Sequence, residues 1–180
     1  MALKHWKKQT RHTLFEHPRL TIYEDEIMLP NGTVSRYLHF GMDVGVTSVT
    51  LIVIRDDGKI LLQKELSYPT GEFLWQWPGG GLRPGETFEE AANRELMEEA
   101  GLYADSLIPI HEIYLDNRRH GGRQAVVIAR NLHEAKLPAD AEELFEYRWM
   151  TEAQIDQLIA DGEAANSQCL AVWALYKARK

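Results

Sequence analysis

Residues 46–54, VTSVTLIVI, are almost continuously apolar and β-branched. A strand of that kind has no polar face to turn to water, so it must be covered on both sides. That requirement calls for a layered fold, with helices or a second sheet on each face. The chain supplies them. RLTIYEDEIML and TVSRYLHF, over 19–40, flank the turn residues Pro-Asn-Gly and read as a hairpin. VTSVTLIVI and KILLQKEL, joined by RDDG, read as a second hairpin. A short aromatic strand is expected inside 66–86, and further strands at LIPIHEIYL, QAVVIARNL and LFEYRWM. Thr87 and Glu90 form a capping box, with Gly101 placed for a left-handed C-terminal cap, so one helix fills 88–100. Thr151 opens another helix, and a last one covers NSQCLAVWALYKARK. The expectation is a mixed α/β (α+β) layered domain.

Composition narrows the function. A chain of 180 residues is long enough for its own core. A net charge of −7 argues against a general nucleic-acid coat protein. One cysteine, Cys169, leaves no intrachain disulfide. The N-terminal stretch is basic without the apolar core of a signal peptide, and no run reaches the ~20 apolar residues of a membrane span. A cytoplasmic protein without membrane partners is expected.

The helix at 88–100 breaks a local rule. Glu95, Glu98 and Glu99 share one side, and like charges at that spacing cost about 0.2–0.5 kcal/mol per pair. No lysine occurs between 86 and 102, and Arg94 offsets only part of the repulsion. Glu86 comes from the preceding loop and can join them. Carboxylates clustered on a rigid helix suit hard divalent cations, which take oxygen ligands and share substrate phosphates. The PGGG run before the helix lets a backbone carbonyl approach such an ion. It is neither a P-loop nor a dinucleotide fingerprint, because Pro84 stands where the latter has its third glycine.

Gly80, five residues, Glu86, seven residues, then Arg94-Glu95-Leu96-Met97-Glu98-Glu99-Ala100-Gly101-Leu102 resembles the Nudix box. Chance agreement per start position is on the order of 10⁻⁸. The resemblance implies an α/β/α sandwich with a mixed sheet and hydrolysis of a nucleoside diphosphate linked to another moiety. It implies Mg²⁺ or Mn²⁺ held by Glu95, Glu98 and Glu99, with the Gly79 carbonyl and Glu86 assisting and Arg94 holding the cluster. The N-terminal hairpin, 1–42, before the box domain, 43–180, is similar to the ADP-ribose and nucleotide-sugar pyrophosphatase branch. There it serves a homodimer, and the products are a nucleoside monophosphate and a phosphosugar.

Two features depart from that branch. LDNRRHGGRQ stands where a Ser-Pro-Gly loop carries a catalytic Glu, and Gln63-Lys64-Glu65 replaces Gln-aromatic-Arg. The general base is therefore sought in Glu142, Glu143 or Glu146, or in the box, with Glu143 taken as the catalytic candidate. Arg118, Arg119 and Arg123 are candidates for substrate phosphates, since arginine forks suit phosphate oxygens. A solvated loop is the alternative. Trp75 and Trp77 alternate on one side of a strand and read as core before base platform. Rival substrates are nucleoside triphosphates, dinucleotides and capped RNA. A catalytically silent nucleotide-sugar sensor is the rival of another class.

Overall fold

The computed structural model describes residues 4–41, 45–138 and 146–179. Its strands are β1 (Lys7–His17), β2 (Leu20–Met28), β3 (Val34–Phe40), β4 (Gly45–Val53), β5 (Ile60–Ser67), β6 (Glu72–Gln76), β7 (Leu102–Tyr114), β8 (Gly122–Glu134) and β9 (Glu146–Met150). Its helices are α1 (Phe88–Ala100), α2 (Glu152–Ala160) and α3 (Ser167–Lys177). The strands form three sheets, ordered β1-β2-β3, β4-β8-β7 and β6-β5-β9. The chain separates into Met1–Gly45 with Tyr114–Arg123, and Val46–Ile113 with Gln124–Lys180. The expected boundary at 42/43 falls outside the described residues.

In the larger unit, β4 behaves as its composition requires. Val49, Leu51 and Val53 pack with Ala91, Ala92 and Leu96 of α1, while Ile52 and Ile54 pack with Ile155 of α2 and with Val172 and Trp173 of α3. Alternate side chains of one strand thus feed two cores, with helices on both faces. Trp75 and Trp77 are both buried, and Trp77 Nε1 donates to the Cys169 carbonyl at 3.1 Å. They belong to the core.

The second expected hairpin forms only its turn. Arg55 N donates to Lys59 O at 2.9 Å and Ile54 bridges Ile60, but β4 then lies beside β8 while β5 pairs with β6 and β9. Turn chemistry acts locally, whereas the partner of a strand is decided by which sheet buries its faces.

The smaller unit contains a strand that the sequence reading leaves out. β1 pairs antiparallel with β2, and β2 with β3, so the N-terminal hairpin is a three-stranded meander. On one face, Arg11, Asp25 and Tyr37 are register neighbours. Arg11 donates to both oxygens of Asp25, at 2.7 and 2.8 Å, and His39 Nε2 lies 3.1 Å from the same carboxylate. These hydrogen bonds from Arg11 hold the Asp25 carboxyl below its ordinary range; burial opposes them, and the charges of Arg11 and His39 add to them.

A lowered folded pKa gives stability that is full above the unfolded value, about 3.9. It disappears as pH falls through the folded value. The melting-temperature difference between wild type and Asp25→Asn should therefore shrink as pH falls below about 4. A difference constant with pH would show that the carboxylate charge contributes nothing.

Candidate active site

The site begins where residues 78–82 run beside β4. Leu51 N donates to Pro78 O at 2.8 Å, Val49 N to Gly80 O at 2.9 Å and Leu82 N to Thr47 O at 3.0 Å. The Gly79 carbonyl between them carries no hydrogen bond among the described residues. Gly79 has φ +143°, and a Cβ there would lie 2.2 Å from Val49 O. Only glycine fits.

α1 then starts at Thr87, whose side chain accepts from Glu90 N while Glu90 reaches back to Thr87 N. It ends at Gly101 in the left-handed region, as expected. One guanidinium organises its acidic side. Arg94 donates to Glu86 at 2.8 and 2.9 Å, to Glu95 Oε1 at 2.7 Å, to Glu98 Oε2 at 2.9 Å and to Gly81 O at 2.8 Å. Arg83 adds a contact to Glu98 Oε1 at 3.0 Å.

Glu99 is held differently. Its Oε1 accepts from Gln63 Nε2 at 3.0 Å and its Oε2 from Gly79 N at 2.8 Å.

The electrostatics follow from these contacts. Hydrogen bonds from Arg94 pull Glu86 down to about 2, against burial and with help from the Arg83 amide. Glu95 moves the other way, because burial outweighs its bond to Arg94. The same carboxylates raise Arg94 above its ordinary value, Glu86 foremost. Glu86, Glu95 and Glu98 share two guanidinium groups while Glu99 accepts from the Gln63 and Gly79 amides, so these four carboxylates outnumber the guanidinium groups that hold them.

Among the described residues, no three Asp, Glu, His or Cys side chains converge into a closed metal shell. The donor set still fits a hard divalent cation, which keeps several waters and shares phosphate oxygens. Among the described residues, Glu95 Oε2 and the Gly79 carbonyl are acceptors without hydrogen bonds.

The two glycines make separable predictions. In Gly79→Ala the new methyl meets backbone at a φ that disfavours side chains, and stability should fall by about 3 kcal/mol or more. In Gly80→Ala it meets Glu95 Oε1 at 2.3 Å, a side chain that can move. That variant should melt near wild type while losing about 10²-fold in kcat through misplacement of Glu95. Equal melting losses in both would contradict this placement.

A family profile described as NUDIX domain matches residues 46–172, most of the chain and the whole of the carboxylate helix. The chain belongs to the Nudix family. This Nudix chain is 31% identical over 111 residues to "ADP-ribose pyrophosphatase" of Bacillus subtilis, covering 60% of itself and 57% of that protein. It is 31% identical over 112 residues to "ADP compounds hydrolase NudE" of Escherichia coli, covering 62% and 60%. The match thus spans less than two thirds of either relative. A solved structure described as "Crystal structure of ADP compounds hydrolase" superposes with a TM-score of 0.88 at 22% identity, over 98% of this chain and 95% of that one. The Nudix fold is therefore shared, as the sequence implied.

The residues singled out in the sequence divide into three groups. Glu86, Glu95 and Glu98 meet at Arg94, and Glu99 is brought to Gly79. Arg118 and Arg119 line a cavity of about 270 Å³ in the smaller unit, with Arg11, Asp25, Tyr37 and His39. There Tyr37 Oη donates to Arg118 O, and the Arg119 guanidinium donates to Leu38 O at 2.9 Å and lies over the Tyr37 ring. Arg123 sits on β8 and does not line that cavity. Glu142 and Glu143 lie outside the described residues; Glu146 is exposed and paired with Arg148. Sequence reasoning missed Gln63 and Arg83. The signal for Gln63 was present: a polar residue on the buried face of ILLQKEL, in step with Leu61.

Among the described residues, no helix is long and apolar enough to cross a membrane.

Proposed function

We propose that this chain is a divalent-metal-dependent pyrophosphohydrolase of nucleoside diphosphates linked to another moiety, with ADP-ribose the first substrate. Water adds across the phosphoric anhydride, one P–O bond breaks, and a nucleoside monophosphate and a phosphosugar leave. One observation carries this reading: Glu86, Glu95 and Glu98 meet at Arg94, and Glu99 of the same helix accepts from the Gly79 amide. The names of the two relatives, both ADP-compound hydrolases, support the substrate class.

Mg²⁺ or Mn²⁺, when bound, supplies charge neutralisation for the diphosphate. Glu95, Glu98, Glu99 and the Gly79 carbonyl would hold it, with Glu86 in support. Arg94 and Arg83 hold Glu86, Glu95 and Glu98 in place. Arg118, Arg119 and Arg123 are assigned to substrate phosphates and Glu143 to proton abstraction from the attacking water. In-line attack then depends on positioning more than on covalent help from the protein.

A cytoplasmic homodimer is assigned, with residues 1–42 as the dimer element. Leu14 and Phe15 of β1 and Val34 and Leu38 of β3 are exposed apolar side chains that suit such a contact.

The test is a chromatographic screen of the purified chain with Mg²⁺ or Mn²⁺ against ADP-ribose, other nucleotide sugars, dinucleotides, nucleoside triphosphates and capped RNA. Selective, EDTA-sensitive conversion of ADP-ribose to AMP and a phosphosugar is expected, with KM raised in Arg118→Ala and Arg119→Ala. Preference for another class would reassign the substrate. Silence across the panel, with a nucleotide sugar still shifting the melting temperature, would make the chain a sensor.

A further inference from the structure

Glu99 differs from the other carboxylates of the cluster in what holds it. Glu86, from the loop before α1, and Glu95 and Glu98 of α1 all accept from Arg94 of that helix. Glu99 accepts from Gln63 of β5 and from the Gly79 amide, one donor to each oxygen and neither of them on α1. The two donors leave the carboxylate one orientation.

Gln63 is an unusual residue for its place. It is 1% exposed, on the side of β5 where Leu61 packs into the α1-facing core. Its Nε2 serves Glu99, while its Oε1 is buried with no hydrogen-bond partner among the described residues. A buried acceptor without a partner is destabilising, and an apolar side chain of the same volume would avoid that. The amide cannot be reversed to relieve it, because its oxygen would then face a carboxylate oxygen. Packing does not account for glutamine here, but the donor to Glu99 does.

We infer that Gln63 is a positioning residue: it fixes the Glu99 carboxylate from the sheet side and so sets the affinity of the cluster for a divalent cation. The inference rests on the hydrolase reading above. It separates two supports. Arg94 keeps three carboxylates together, whereas Gln63 and Gly79 aim the fourth. Partners behind a ligand, when removed, typically cost 10- to 100-fold in metal affinity or activity.

The experiment measures Mn²⁺ binding to the full chain by calorimetry without nucleotide, alongside kcat and KM at saturating Mn²⁺. Gln63→Met keeps the volume and loses the donor; Gln63→Asn keeps the amide but is one methylene too short to reach Glu99. Both are expected to raise the Mn²⁺ Kd about tenfold or more and to lower kcat by a similar factor, with KM for ADP-ribose moving less than about twofold. A merely structural role would change the melting temperature and leave the Kd of the folded protein alone. Wild-type Mn²⁺ affinity in either folded variant overturns the inference while leaving the hydrolase reading intact. A wild-type chain that binds no Mn²⁺ overturns both.

Discussion

Glu98→Gln is expected to lower kcat by on the order of 10²- to 10³-fold while the protein melts at or above the wild-type temperature in metal-free buffer. Glu98 accepts from Arg83 at 3.0 Å and from Arg94 at 2.9 Å. A glutamine keeps an oxygen for one of them, and the loss of charge relieves its repulsion of Glu95, one of the influences that raise the Glu95 carboxyl. The fold therefore loses little, and the proposed cation site loses a ligand. Glu99→Gln should behave differently. Both of its oxygens face N–H donors, so the new amide nitrogen must point at Gln63 Nε2 or at Gly79 N. Donor against donor in a buried place costs about 1–3 kcal/mol, and turning the Gln63 amide over to avoid it leaves the Gln63 N–H groups buried in its place, so this variant should lose both turnover and stability. Kinetics and thermal melts of the two side by side check the pair. Wild-type turnover in Glu98→Gln would remove it from the cation site, and equal melting temperatures in the two would contradict the contacts of Glu99.

Arg94→Met should destabilise the cation-free protein by about 3–5 kcal/mol, because it leaves Glu86, Glu95 and Glu98 packed together without their shared guanidinium. For a chain of this size that is a fall of roughly 10 °C in Tm. If the cluster is the cation site proposed above, divalent cations should restore part of it by mass action, taking the place of the lost charge. Arg94→Lys should not substitute well, because one ammonium cannot spread donors over three carboxylates and the Gly81 carbonyl. Melting curves with EDTA and with Mg²⁺ measure both effects. An Arg94→Met protein as stable as wild type in EDTA would mean the three carboxylates do not depend on it.

The helix that carries the site was legible in the sequence to the residue. Its caps are local chemistry, Thr87 with Glu90 at one end and Gly101 at the other, and local chemistry can be read from neighbours. The same holds for β4, whose composition demanded two covered faces and received them. What failed was non-local. β1, KKQTRHTLFEH, has no apolar alternation because nearly all of it is exposed; it is a strand only because β2 offers a ladder. The RDDG turn was right and its strand pairing was not, since pairing is decided by residues far along the chain. In the site, the spacing of the box revealed the carboxylates but not their supports. Arg83 and Gln63 reach the cluster through space; no periodicity announces Arg83, and the alternation that marks Gln63 as buried does not say what it meets.

Cys169 gives the core beneath α3 a built-in clock. It is the chain's only thiol; its side chain is fully buried, and burial pushes its pKa up to about 12. A colourless thiol reagent that turns yellow on reaction can therefore meet a reactive thiolate only when that layer opens. The rate of colour then times the breathing of one helix, in unmodified protein, without a label or a mutation.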